Sequence, residues 1–219
     1  MVLLSPSVSA LKMLLAICER FSVAHGLKYN VTKSELLVFK SGTKTYTIPP
    51  ITLSRSPLQT VQEFKYLSHW VTDTLKDDVD LERERRALSI RGNMLARRFA
   101  RCSHEVKIAL FKTYCQMMYT CSLWSNYTEK AFSALRVQYN NAFRGLLGLP
   151  WRCSASGMFA ENGIDGFQAV LRKRVASLWV RTRGSTNTLL RVIARRMDSP
   201  IISHWMGMHV QSNKNFKFV

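Results

Sequence analysis

Acidic residues are scarce in this chain. Its 219 residues include 14 Asp and Glu against 32 Lys and Arg, a formal net charge of +18. The deficit is uneven: residues 1–80 carry 9 basic and 7 acidic side chains, and residues 81–219 carry 23 and 7. A bias this large in the second part points to a polyanion, first of all nucleic acid. A ribosomal or anionic-membrane partner would answer the same charge.

Cysteine is sparse and odd in number: Cys18, Cys102, Cys115, Cys121 and Cys153. That argues against a disulfide framework and for reduced thiols in an intracellular setting, nucleus or cytoplasm. No run of eighteen apolar residues exists, so no spanning helix and no membrane partner are expected. The start, MVLLSPSVSALKMLLAIC, is leucine-rich but has no basic leader and is interrupted by Lys12, which reads against a signal peptide. No internal repeat or low-complexity segment is present. No paired Cys-x-x-Cys with His is found, so no metal site is expected. Gly-rich phosphate loops and Ser/His/Asp nucleophile sets are absent too.

What is present divides into two regions. The first is mixed. Residues 1–4 read as a short strand, Ser5 as a helix cap with Pro6 at the first position. Leu11, Leu14, Leu15, Cys18 and Phe21 form one face of an amphipathic helix. Gly26 ends it. Leu27–Tyr29 alternates like a strand, Asn30–Lys33 is a polar turn, and Leu36–Phe39 reads as a strand covered on both faces. Ser41-Gly42 reads as a turn and Lys44–Ile48 as a strand. Residues 51–53 and 59–63 offer edge strands, and Phe64–Thr72 reads as the last strand, with Phe64, Tyr66, Trp70 and Thr72 on one face.

From Asp77 the period becomes helical. Asp77 or Asp78 caps a helix whose apolar face is Leu81, Leu88, Leu95 and Phe99, with Arg83, Arg86, Arg97 and Arg101 opposite. A helix from Ser103 buries Val106, Leu110, Tyr114, Met117, Cys121 and Trp124. Another, about 128–147, buries Phe132, Leu135, Tyr139, Phe143 and Leu146, and Gly148-Leu149-Pro150 stops it. A short helix near 156–161, one from Asp165 to Arg183 and one from Asn187 to Arg196 follow, and residues after Pro200 read as frayed. Residues 71–78 make the linker. The expected class is α+β, with domains at 1–73, 77–150 and 151–219.

Gly26-Leu27-x-x-Asn30-x-x-Lys33-Ser34 ahead of an apolar strand resembles the fourth palm motif of LINE-type (non-LTR) retrotransposon reverse transcriptases. EFKYLSHWVTD (63–73) is similar to the next motif, the primer grip. The likeness extends through a helical thumb to LRVQYNNAFRGLLGLPWRCSAS (135–156). It implies a partial reverse-transcriptase palm of strands and one helix, followed by an all-α, thumb-like region and a basic helical extension. It implies that Lys33 protonates the leaving pyrophosphate. From the residues alone, Lys33 is equally a solvated turn lysine and Asn30 a turn residue bonding its own backbone. The resemblance implies that Lys65 and Tyr66 hold a primer end, although Ser68 stands where the family has glycine. Tyr66 and Trp70 read equally as core aromatics.

The resemblance further implies that Arg83, Arg86, Arg97, Arg98 and Arg101 lie along an RNA or RNA/DNA duplex. Arg172, Lys173, Arg174, Arg181 and Arg183 form a second cluster suited to template RNA. Guanidinium groups suit phosphate because they donate two parallel hydrogen bonds. The bare alternatives are a solvated face paired with Glu82 and Glu84, and the polar side of a core helix. Polymerisation in the family needs paired metal-bound carboxylates in a tight turn. Asp77-Asp78 is the one Asp pair in the chain and starts a helix. The expectation is a chain beginning just after the catalytic aspartates, inactive alone and without its own cofactor. Mg2+ is expected only for the complete family enzyme. Association with an intact reverse transcriptase is one implied partnership. The competing expectation is a non-catalytic basic helical module, derived from such an element, that binds nucleic acid or protein.

Overall fold

The computed structural model describes residues 1–39 and 47–210. The chain is mixed α+β and divides into two compact units, Met1–Leu75 and Lys76–Val219. The expected turn at Ser41-Gly42 and most of the strand expected at Lys44–Ile48 lie outside the described residues.

In the first unit, helix α1 spans Val8–Ala24. Ser7, not Ser5, is its cap: the Ser7 hydroxyl accepts from Ala10 N at 3.2 Å, while Ser5 Oγ donates to the Ser7 carbonyl at 2.7 Å. Gly26 then turns the chain at φ +64°, where a side chain would be strained. The strands are β1 (Glu35–Leu37), β2 (Thr52–Leu53), β3 (Ser56–Pro57), β4 (Gln59–Val61), β5 (Glu63–Tyr66) and β6 (His69–Thr72). They form three two-stranded sheets: β1 parallel to β4, β2 antiparallel to β3, and β5 antiparallel to β6.

Three expectations are corrected here. Residues 1–4 and 27–29 are not strands; apolar alternation makes a strand only where a neighbour completes the ladder. Strand β1 is not covered on both faces, and Phe39 beyond it is 45% exposed. The segment 64–72 is a hairpin rather than one strand. Its two-residue turn, Leu67 (φ +46°) and Ser68 (φ +69°), reverses the facing. Phe64 pairs with Val71 and Tyr66 with His69 on one side, and Lys65 with Trp70 on the other. The core of this unit is small: Leu15, Ile51 and Leu53, flanked by Leu11, Tyr29, Leu36 and Leu58.

The second unit is helical among its described residues: α2 (Asp78–Arg98), α3 (His104–Tyr114), α4 (Glu129–Leu147), α5 (Ala155–Glu161), α6 (Phe167–Arg183), α7 (Thr188–Arg195) and α8 (Pro200–Val210). Helices α2 and α4 lie side by side. Leu81, Leu88 and Leu95 from one, and Leu135, Tyr139 and Phe143 from the other, are fully buried, as the helical spacing predicts. Residues after 150 join the same core through Met158, Phe159, Ile164, Phe167, Val170 and Leu171.

The third expected helix is shorter than its pattern. It ends at Tyr114, and the chain continues through turns and a 3₁₀ turn at Cys121–Leu123. Its buried side is Phe111, leading to Cys115 and Met118, whereas Val106, Tyr114 and Met117 are exposed. A helix with apolar residues on several sides has no unique stripe, so packing decided between them. Burial pushes the Cys115 and Cys121 thiols up to about 11 and about 12, in keeping with core cysteines. Gly166, not Asp165, caps α6. Nor does the end fray at Pro200: α8 buries Ile202 and Trp205 with Val175, and Trp205 Nε1 donates to the Ser122 carbonyl at 2.9 Å.

At Gly92, α2 comes close against Ala142 of α4. A Cβ there would stand 2.9 Å from the Ala142 Cβ. Alanine regains about 1 kcal/mol of helix propensity, but overpacking costs about 1–3 kcal/mol. Gly92→Val has no such propensity gain and inserts still more volume. It should lower the urea midpoint by an amount corresponding to at least about 1–3 kcal/mol. An unshifted midpoint would show that the two helices separate freely.

Candidate nucleic-acid interface

In the first unit, the turn Val31–Lys33 is a 3₁₀ turn fixed by Asn30. Asn30 Oδ1 accepts from Lys33 N at 3.2 Å and from Thr32 Oγ1 at 2.7 Å, and its carbonyl accepts from Ser34 Oγ at 2.8 Å. Asn30 is thus a turn residue bonding its own backbone. Lys33 is exposed at the end of this turn, immediately before β1. It lines a cavity of about 1160 Å³ together with Lys65, Tyr66 and Glu35. Three residues singled out from sequence therefore share one concavity. Two ammonium groups and an aromatic ring suit an anionic, partly apolar ligand.

The residues present do not fit a pair of catalytic metal ions. Among the described residues, Glu35 is the single carboxylate lining that cavity. Among the described residues no group of three or more His, Cys, Asp or Glu is placed to hold a metal. The hairpin turn between β5 and β6 forms with Ser68 at a φ of +69°. For a residue with a Cβ this conformation costs roughly 1–2 kcal/mol.

In the second unit, the aspartates at the start of α2 have a different use from capping. Asp77 stands at the cap position, yet its carboxylate reaches across to accept from Ser125 N and Asn126 N at 2.8 and 2.9 Å. Asp78 Oδ1 accepts from Thr128 N and Oγ1. Asp80 is fully buried and accepts from Thr120 Oγ1 and Trp124 Nε1, both at 2.7 Å, and from Arg83 Nε at 2.8 Å. These three carboxylates fasten residues 120–128 to the helix.

This corrects the expectation for Arg83. Its guanidinium also meets Glu84 at 3.1 Å and Thr120 at 3.2 Å, so it belongs to the internal network and not to an outer cationic face. Arg91 closes the same network on Glu84. Arg86 is outside, with 73% of its side chain exposed, but it shares Glu82 with Arg85. Those two arginines, Arg85 first, hold the Glu82 carboxyl down at about 2. Arg97, Arg98 and Arg101 are exposed at the C-terminal end of α2, and no hydrogen bond or ion pair occupies them among the described residues. The negative end of the helix dipole favours cations at this place. Their outer surfaces remain open to phosphate.

On α6, Arg172 is half-buried, Lys173 pairs with Asp165 at 2.5 Å, and Arg174 rests on the Met117 sulfur at 3.5 Å. Lys173 and Arg174 are both exposed. Arg183 is exposed and lies over the ring of Trp179 at 5.6 Å, and Trp179 packs against Val175, Ile202 and Trp205. The reading from sequence passed over the Asp80 network, whose sole signal was three aspartates within four residues. It also passed over Trp151 and Arg152, where a bulky aromatic follows a helix-stopping Gly-Leu-Pro. A scan of protein-family models and searches of curated proteins and solved structures give no match to the chain. No helix among the described residues is long and apolar enough to cross a membrane.

Proposed function

We propose that the chain is a nucleic-acid-binding piece of a LINE-type reverse transcriptase, with a partial palm in the first unit and a thumb-like helical body in the second. In this reading the helical unit grips the phosphate backbone of an RNA or RNA/DNA duplex. In this reading the chain does not polymerise by itself, since that chemistry needs a pair of metal-holding carboxylates. Lys33 and Lys65 would then meet nucleotide or primer phosphates only when a complete polymerase supplies the metal-holding half.

The observation that carries the reading is the unpaired trio Arg97, Arg98 and Arg101 at one end of α2, in the part of the chain where 23 of the 32 basic residues fall. Phosphate contact fixes position and reads little sequence, so the expected binding is tight at low salt and sequence-tolerant. Changing the trio together to glutamine should reduce the slope of log K against log salt by about 2.7 on an RNA/DNA duplex, at about 0.9 per phosphate contact. An unchanged slope would refute the assignment. Arg83→Gln is the contrasting control: it should lower stability and leave the slope alone. Addition of the family's fingers and aspartates in trans should give primer extension. A chain that stays inert in that assay while binding duplex is instead a derived, non-catalytic module.

A further inference from the structure

Five tryptophans occur in the chain. Trp124 and Trp205 are buried, and Trp70 and Trp179 are half-buried, but Trp151 is 76% exposed. It sits on a built projection rather than a slack loop. Gly148 ends α4 at φ +68°, and Leu149 N donates to the Arg144 carbonyl at 2.9 Å. Pro150 to Cys153 then close a tight turn, with Cys153 N donating to the Pro150 carbonyl at 3.1 Å. Leu149 and Cys153 on either side pack on the core. Arg144 pins the far end, donating to the Cys153 carbonyl at 2.9 Å and to Asn141 Oδ1 at 3.0 Å. Trp151 and Arg152 are the two central residues of this turn. The Arg152 guanidinium lies over the indole, 4.7 Å from the ring centroid. With that face covered and most of the residue exposed, the opposite face is open.

We infer that Trp151 is a stacking platform for an unpaired nucleobase, so that the helical unit engages single-stranded RNA or DNA as well as duplex backbone. Every base presents a π-face, and a cation behind the indole reinforces the stack. The charge beside it fits that ligand: Arg152 covers one face of the indole and Arg144 anchors the same turn. The inference rests on reading this unit as a nucleic-acid binder, but uses a different residue and a different strand form.

The test compares labelled oligouridylate with a mixed-sequence RNA/DNA duplex, using the whole chain. Trp151→Ala should weaken oligouridylate binding by about 5- to 150-fold, the range of one lost stack. Duplex affinity and the salt slope should not change. Trp151→Phe should retain most single-strand affinity, and only the wild type should lose indole fluorescence on binding. Equal affinity of Trp151→Ala and wild type for oligouridylate overturns the inference. So does an equal loss on both ligands, or a change confined to self-association, which would make Trp151 a protein contact. Wild type that binds duplex but no single strand sinks the platform alone. Wild type that binds neither sinks the phosphate-grip reading with it.

Discussion

Asp80→Ala should destabilise the helical unit by about 3–5 kcal/mol, the usual result of removing one partner from a buried charged network. The carboxylate has no solvent exposure and satisfies three donors from three places in the chain: Arg83, Thr120 and Trp124. Without it, the indole N–H and the threonine hydroxyl lose their acceptor in a region closed to water, and Arg83 keeps Glu84 and the Thr120 oxygen. Asp80→Asn should fall between, because an amide supplies one acceptor oxygen and points a donor at groups that are themselves donors. A double-mutant cycle with Arg83→Ala should return a coupling of about 0.5–3 kcal/mol. Urea unfolding followed by far-UV circular dichroism reads both. If Asp80→Ala shifts the midpoint by the equivalent of less than about 1 kcal/mol, the network is an ornament of a core that holds without it.

Tyr139→Ala is expected to have a comparable effect, about 3–5 kcal/mol. Its ring is fully buried, with Phe111 at 5.2 Å, Phe159 at 5.4 Å and Phe167 at 5.8 Å between centroids. One side chain thus joins α3, α4, α5 and α6. The hydroxyl donates to the Asp165 carbonyl at 2.7 Å and accepts from Gln116 Nε2 at 3.0 Å. Burial holds the phenol far above its ordinary range, so it stays a donor at any ordinary pH. Tyr139→Phe separates the two contributions. It keeps the ring and loses the hydroxyl, for which about 1 kcal/mol is expected. The carbonyl would still have Gln116, which donates to it at 3.2 Å. Equal losses for Phe and Ala would mean that the polar corner, not the aromatic cluster, governs this junction.

The long helices could be read in advance because their residues agree at every level. For α4, Thr128 accepts from Ala131 N, Gly148 takes the left-handed conformation, and the buried residues recur at spacings of three and four. Helix α2 was equally plain in its leucines. Its charges were not, because spacing places Arg83 on the polar side without telling whether a buried partner waits there. Asp80 supplies that partner, and Thr120 reaches it from 40 positions away. The small sheets were hardest. Strands need partners remote in sequence, and β1 finds β4 some two dozen residues on. At 64–72 the two residues that reverse the chain are Leu and Ser, neither a signal for positive φ. Lys33, Lys65 and Tyr66 were singled out through a family resemblance, and no spacing rule foretells that they line one concavity.

The disparity between the two hydrophobic clusters bears on how any melting curve should be read. Among the described residues, three buried side chains anchor the first cluster, and nineteen anchor the main one of the second unit. Bodies so unequally filled have no reason to share one cooperative transition. A helical signal would then follow the larger body almost alone, and the first unit could come apart well below the recorded midpoint without leaving a mark on it.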